Sequence, residues 1–177
     1  MNTIVVIGMT GEGKSEFIKK YIEKRKCFVN DVQNEYGHRT KYPNQKPILL
    51  SDNVMDARSR YIGGSFKEFM RLVETKRNTI CVFEEATMFL QGAISKDMYK
   101  ILINKMHTGN VYILPFHSIR KVPPGILDIA NFVVLYRTAD ERELVENKYP
   151  SLLPVFDEIK ANWDTMKGKY KIVKIIS

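Results

Sequence analysis

Cysteine and long apolar runs are both scarce in this sequence. Only Cys27 and Cys81 occur among its 177 residues, each within a short apolar stretch. These apolar, strand-like surroundings favour neither a disulfide nor a metal site, so we expect both cysteines to be buried, reduced thiols in a cytosolic setting. The apolar runs are a few residues long, whereas a bilayer span needs roughly twenty. We therefore expect no membrane span and no signal peptide.

An acidic surplus is also missing, because 28 lysines and arginines outnumber 20 aspartates and glutamates and give a net charge of +8. The basic residues concentrate at 19–26 and 160–174. A polyanion such as DNA would suit these clusters, and solvated faces that keep the protein soluble explain them equally well. The length fits a single domain with a full core, over residues 1–177.

A glycine-rich segment near the start of the chain carries the strongest functional motif. The apolar run Ile4–Ile7 is followed by Gly8-Met9-Thr10-Gly11-Glu12-Gly13-Lys14-Ser15, with the spacing G-x-x-x-x-G-K-[ST]. Such a loop points backbone N–H groups at phosphate oxygens, and a helical pattern follows it, which disfavours a chance glycine-rich turn. We name residues 8–15 the phosphate loop. We predict that it and Glu16 bind ATP, with Lys14 on the phosphates and Ser15 on Mg²⁺.

A second motif pairs an apolar strand with two carboxylates. Thr79 begins a strand-forming segment whose next four residues, 80–83, are all apolar. Glu84 and Glu85 follow directly. A parallel strand buried on both faces would deliver these acids to the edge of the sheet where the phosphate loop lies. We predict that Glu84 holds Mg²⁺ through water and that Glu85 is the general base for an attacking water. The alternative is a pair of solvent-facing glutamates at a strand end.

The rest of the chain alternates between strand and helix patterns. Strands are predicted at 27–31, 111–116, 131–137 and 169–176. Helices are predicted over 95–106 and 139–148, with one that begins after Ser65 and a short one that runs from Pro123 to Ala130. Pro115 should lie among the last residues of its strand or beside a bulge. Residues 38–63 are predicted to form a long polar excursion, with a short strand at 48–50 and with Arg58 and Arg60 exposed.

Four stretches together resemble the FtsK–HerA superfamily of DNA-pumping ATPases. They are the phosphate loop, the segment Asp31-x-x-x-Glu35-Tyr36, the segment Cys81–Ala86, and the order of elements over 107–137. The resemblance covers about residues 3–137. It implies an α/β fold, the P-loop NTPase three-layer sandwich of RecA/ASCE type with a mainly parallel sheet, and it makes 138–177 a C-terminal extension with an extra strand. The compact length favours the small viral genome-packaging members.

The chain departs from that superfamily at two places. Members carry a strand inserted between the paired carboxylates and the last core strand, which corresponds to 111–116 here, and they commonly end it in Thr-Gln. The glutamine senses the γ-phosphate, but here Phe116-His117 stands instead. His117 either replaces that sensor or is a strand-end histidine bonded to backbone. Members also supply an arginine finger in trans, commonly from the turn that holds His107 here. We favour Arg120 for this role over the other candidates, which are Arg137, Arg58 and Arg60.

The resemblance implies a motor. We expect Mg²⁺-dependent ATP hydrolysis that drives translocation of double-stranded DNA or genome packaging, in a hexameric ring that belongs to a viral capsid or a mobile element. Such a protein would be cytoplasmic, in the host cytoplasm or the virion. Two alternatives stay open, which are a small-molecule kinase that uses the same phosphate loop and a regulatory nucleotide-binding module without turnover.

Overall fold

The structure is a computed structural model and describes residues 2–36, 50–63, 65–90 and 92–175. Its strands form one sheet and are β1 (Thr3–Ile7), β2 (Cys27–Asn30), β3 (Arg58–Tyr61), β4 (Ile80–Val82), β5 (Val111–Phe116), β6 (Phe132–Leu135) and β7 (Lys171–Lys174). Its helices are α1 (Lys14–Ile22), α2 (Phe66–Thr75), α3 (Ala86–Phe89), α4 (Lys96–Ile103), α5 (Lys105–Thr108), α6 (Ile126–Ile129), α7 (Arg142–Lys148) and α8 (Leu153–Ala161). Short 3₁₀ turns cover Ile119–Lys121 and Pro150–Leu152.

The strands lie in the order β3-β2-β4-β5-β1-β6-β7. Every neighbouring pair is parallel except β6 and β7, which are antiparallel. The carboxyl ends of β1, β4 and β5 therefore meet at one edge of the sheet, where ligands bind in folds of this kind. The predicted mainly parallel α/β sheet with an extra C-terminal strand is confirmed.

Burial on both faces explains why the central strands are almost entirely apolar. Every residue of β1 and β4 is buried. Successive β1 side chains point to opposite faces, so that Val5 and Ile7 enter one apolar cluster while Ile4 and Val6 enter another. The sheet is thus the middle layer between two cores. Cys27 and Cys81 are buried free thiols within it, as predicted.

Pro115 lies within β5, one residue before the strand ends, and pairs in register with Val6. The carbonyl of Ile113 accepts the Phe83 N–H on the β4 side, and the carbonyl of Phe116 accepts from the β1 side. Alternation along the strand therefore turns the Pro115 nitrogen toward the β4 side, beyond the last paired residue of β4. The next bond of the β4–β5 ladder would need an N–H at residue 115, which proline lacks, so the pairing of these strands ends here. Pro115 thus lies among the last residues of its strand, as predicted.

The prediction that Arg58 and Arg60 are exposed is wrong, because Arg58 is half-buried and Arg60 is buried in the edge strand β3. Arg60 is 6% exposed and its guanidinium donates to Asp31 on the neighbouring loop. This charge pairing allows a polar sequence to occupy a strand. The strand expected at 48–50 lies outside the described residues except for Leu50, which is buried.

Three helix predictions also need correction. The helix predicted over 95–106 ends at Ile103, because Asn104 terminates α4. A separate short helix, α5, follows and takes in the last two residues of the predicted helix and the first two of the turn predicted at 107–110. Helix α7 begins at Arg142 rather than at residue 139. Helix α8 was missed, although Pro154 lies in its first turn, where proline favours a helix start. None of the helices in the described ranges is long and apolar enough to cross a membrane.

Candidate active site

The phosphate loop connects the central strand β1 to helix α1. The Gly8 N–H donates to the Phe116 carbonyl of β5 at 3.1 Å, which anchors the start of the loop. Gly8 has no room for a side chain, because a Cβ there would lie 2.5 Å from the Cβ of Tyr136. Gly13 has a φ of 92°, a left-handed conformation that glycine adopts without strain. These two constraints explain why both fixed positions of the motif are glycine.

The Lys14 ammonium lies inside the curve of the loop. Its Nζ donates to the carbonyl oxygens of Gly8 at 2.7 Å and Met9 at 3.0 Å. Burial lowers the pKa of Lys14, while the nearby carboxylates of Glu84 and Glu85 oppose that shift. The loop's own carbonyls therefore hold a cation at the centre of the edge where the strands end.

Glu84 and Glu85 follow β4 and their carboxylates have different partners. Glu85 has a φ of 54°, which is uncommon for a residue with a side chain and costs on the order of 1–3 kcal/mol. The Tyr36 hydroxyl donates to Glu84 Oε1, whereas Glu85 Oε2 lies 3.1 Å from His117 Nε2. Burial raises the pKa of Glu84 to about 7, although the hydrogen bond from Tyr36 opposes the shift.

The loop after β2 places the Tyr36 hydroxyl. The buried Asp31 carboxylate accepts the N–H groups of Glu35 at 2.7 Å and Tyr36 at 3.0 Å, and it also accepts Arg60 Nη1 at 2.8 Å. These bonds fold the segment into a turn. The buried Tyr36 ring then reaches Glu84. The Asp31-x-x-x-Glu35-Tyr36 pattern thus builds a support for one of the two carboxylates.

A cavity of about 380 Å³ opens where these elements meet, a size typical of small-molecule sites. It brings together most of the predicted site residues, since it is lined by Thr10, Gly11, Gly13, Lys14, Ser15, Glu16, Glu35, Glu84, Glu85, Pro115 and His117. A space of about 20 Å³ beside it lies between Ser15, Glu84, Glu85 and the loop after β2. The predicted residues Gly8, Met9 and Glu12 do not line the cavity.

Arg120 lies on the 3₁₀ turn after β5 and outside the cavity. Its side chain is 60% exposed, with Glu141 Oε1 3.9 Å from Nη2. The turn itself is fixed, because the buried Asp140 carboxylate accepts the N–H groups of Ile119 at 2.6 Å and Arg120 at 3.1 Å. The guanidinium is thus presented to the exterior from a rigid base, not toward the phosphate loop of its own chain.

Two other arginine-finger candidates are held inside the chain. Arg60 donates to Asp31 and also to Asp52 at 2.6 Å. Arg137 donates to Glu12 through Nε at 3.1 Å and through Nη2 at 2.6 Å. Neither projects outward as Arg120 does.

Sequence reasoning missed the supports of the site. Arg60 and Asp31 are 29 positions apart, and Arg137 and Glu12 are 125 positions apart. Asp140 and Ile119 are 21 positions apart. Local spacing carries no signal for such contacts. Only the resemblance that singled out the Asp31–Tyr36 segment could have indicated one of them.

Comparison with known proteins identifies the fold. No protein-family model matches this sequence, and no curated protein matches it either. The genome packaging NTPase B204 from Sulfolobus turreted icosahedral virus 2, in complex with ATPγS, superposes with a TM-score of 0.69 at 18% identity, covering 99% of this chain and 98% of that one. Its complex with AMP superposes with a TM-score of 0.68 at 18% identity, covering 99% and 97%.

A third solved structure, B204, the DNA-packaging ATPase from Sulfolobus turreted icosahedral virus, gives a TM-score of 0.68 at 16% identity, covering 99% and 98%. The fold is that of a P-loop NTPase. The predicted resemblance to small viral genome-packaging ATPases is thereby confirmed at the level of the fold, over almost the whole of both chains.

Proposed function

We propose that this protein hydrolyses ATP with Mg²⁺ and uses the energy to move double-stranded DNA, as in genome packaging. The cavity carries the proposal, because one space is bounded by the phosphate loop, by two carboxylates and by a histidine. An anion-binding loop alone would serve many chemistries. The added carboxylates are the groups that water activation needs.

The residues around the loop suit a nucleotide and its metal. The Ser15 hydroxyl and the Glu84 carboxylate line the same cavities and offer oxygen, which Mg²⁺ prefers. Ser15 would hold the ion directly and Glu84 through water. When bound, the ion would neutralise charge on the phosphate oxygens. Lys14, held by the loop carbonyls, supplies a second cation for the same oxygens.

Glu85 is proposed as the general base. Its carboxylate lies in the cavity 3.1 Å from His117 Nε2, so the histidine can orient it and also meet the terminal phosphate. This pairing is why we keep His117 as the candidate phosphate sensor. Glu84 is the weaker candidate for the general base, because one of its carboxylate oxygens already accepts the Tyr36 hydroxyl.

A ring, which we propose to be a hexamer, would complete each site. The outward position of Arg120 supports its proposed role as an arginine finger that acts on a neighbour's nucleotide. The net charge of +8 and the packaging activity named for the structural neighbours support double-stranded DNA as the partner.

The test is phosphate release from ATP with and without double-stranded DNA. We expect Mg²⁺-dependent release that DNA accelerates. Turnover without DNA stimulation would contradict the motor, and transfer of phosphate to a small molecule would identify a kinase. Binding without turnover would identify a regulatory module. Lys14→Ala should abolish the activity, while Lys67→Ala, an exposed lysine on α2, is the matched control.

A further inference from the structure

Glu12 is a buried carboxylate within the phosphate loop. It is 3% exposed and is the one acidic residue among positions 8–15. Its neighbours Gly11 and Gly13 line the cavity, but Glu12 does not. A negative charge in a loop that binds a triphosphate would repel the ligand unless it were turned away and neutralised.

Arg137 and the C-terminal segment satisfy that carboxylate. Arg137 Nε lies 3.1 Å from each carboxylate oxygen, Nη2 lies 2.6 Å from Oε1, and the Gly168 N–H donates to Oε2 at 3.2 Å. Burial alone would raise the pKa of Glu12, but these bonds and nearby positive charges leave it below its ordinary value. The carboxylate is therefore ionised and paired at neutral pH.

Arg137 is itself held in place from three sides. Its Nη1 donates to the Trp163 carbonyl at 3.1 Å, and its guanidinium lies 4.9 Å from the centre of the Trp163 ring. Its own carbonyl accepts the Met9 N–H at 3.0 Å. The preceding residue makes a similar contact, since the Tyr136 hydroxyl donates to the Gly13 carbonyl at 3.2 Å. The two residues that follow β6 thus contact the phosphate loop repeatedly.

We propose that Arg137 is a positioning residue for the nucleotide, which neutralises Glu12 and holds it outside the cavity so that the phosphate loop can accept a polyphosphate. This inference rests on the proposed nucleotide site. It assigns Arg137 a role within its own subunit, distinct from an arginine finger, and it makes the segment from Trp163 to Gly168 part of the nucleotide-binding machinery.

The test is a double-mutant cycle on nucleotide affinity. Dissociation constants for AMP, ADP and ATP are measured by calorimetry for the wild type, Arg137→Gln, Glu12→Gln and the double variant. Arg137→Gln should weaken ATP binding by about tenfold or more, with smaller losses for ADP and AMP, because repulsion by unpaired Glu12 grows with ligand charge. In the Glu12→Gln background the same change should cost less than about threefold.

Several outcomes would overturn the proposal. An equal loss for AMP, ADP and ATP would show that Arg137 supports only the framework, and a full loss in the Glu12→Gln background would show that it acts on phosphate directly. Arg137→Lys, which keeps the charge, is the variant to use if Arg137→Gln does not fold, and it should retain most of the preference for ATP. A wild type that binds no nucleotide would overturn the proposed function as well, whereas additive effects in a nucleotide-binding protein would overturn this inference alone.

Discussion

Glu84 and Glu85 are consecutive residues, but their side chains contact different partners. The left-handed backbone of Glu85 turns its carboxylate toward His117, while Glu84 meets the buried Tyr36 hydroxyl. A regular strand would also point them to opposite sides, but it would bury one of them in a core. The strained residue keeps both at the cavity.

Replacing Glu85 by Gln should stop hydrolysis and spare binding. A general base contributes about 10²- to 10⁴-fold to the rate, so kcat should fall by that factor while ATP remains bound. Steady-state phosphate release and calorimetry measure the two effects. Glu74→Gln, on the exposed face of α2, is the control and should change neither. Turnover close to that of the wild type would move the base to another residue.

The buried Asp31–Arg60 pair should contribute far more to the free energy of unfolding than the Asp52–Arg60 pair, in which Asp52 is exposed. Both side chains are buried, so Asp31→Ala leaves the Arg60 charge without its buried partner and should cost about 3–5 kcal/mol. Asp52→Ala removes a carboxylate that is 60% exposed and contacts the same guanidinium, and should cost less than about 1 kcal/mol. Urea unfolding compares the two. Equal losses would contradict this division.

At the scale of elements, the 3₁₀ turn after β5 depends on a residue from a different loop. Asp140→Ala leaves the N–H groups of Ile119 and Arg120 without their acceptor, and should destabilise the protein by about 1–3 kcal/mol per buried group. Thermal unfolding measures the loss. Asp128→Ala, at an exposed position on α6, is the control. An unchanged melting temperature in Asp140→Ala would show that the turn holds itself.

The elements also show what the sequence could predict. The phosphate loop and β4 with its carboxylates could be predicted because each is specified by a few consecutive residues. The position of Pro115 near the end of β5 could be predicted because proline lacks the N–H that a continuing strand would need. Strand β3 could not be predicted, because the segment Arg58–Tyr61 is polar and its buried Arg60 is paired with Asp31, which is 29 positions away. Helix α7 starts late for the same kind of reason, since Asp140 serves the turn after β5.

At the scale of the whole molecule, the proposed ring can be tested by mixing two inactive variants. Arg120→Ala should lower hydrolysis by about 10³- to 10⁵-fold if the finger acts in trans. In a mixed ring, a site is intact where an Arg120→Ala subunit, which keeps Glu85, lies next to a Glu85→Gln subunit, which keeps Arg120. Random mixing produces this arrangement at about a quarter of the interfaces, so activity should return. Phosphate release from the equimolar mixture measures it. No recovery in a mixed ring, confirmed by mass, would contradict action in trans.

The affinity for DNA should depend on the distribution of positive charge over the protein and not on the base sequence of the DNA. If lysines and arginines contact phosphates, the logarithm of the affinity should fall linearly with the logarithm of salt concentration, with a slope of about −0.9 per contact. Fluorescence anisotropy with two unrelated duplexes measures both effects. Affinity that does not change with salt would contradict phosphate contacts.

The central position of β1 in the sheet has a consequence for how the protein is made. On the ribosome, residues 3–7 emerge more than a hundred residues before β5 and β6, the two strands that flank them. A nascent chain that has reached residue 110 therefore contains the glycine-rich sequence without the strands that shape it. Because such long-range pairing is slow to form, we expect the incomplete chain to need a chaperone, and the proposed nucleotide site can form only after β6 has been synthesised.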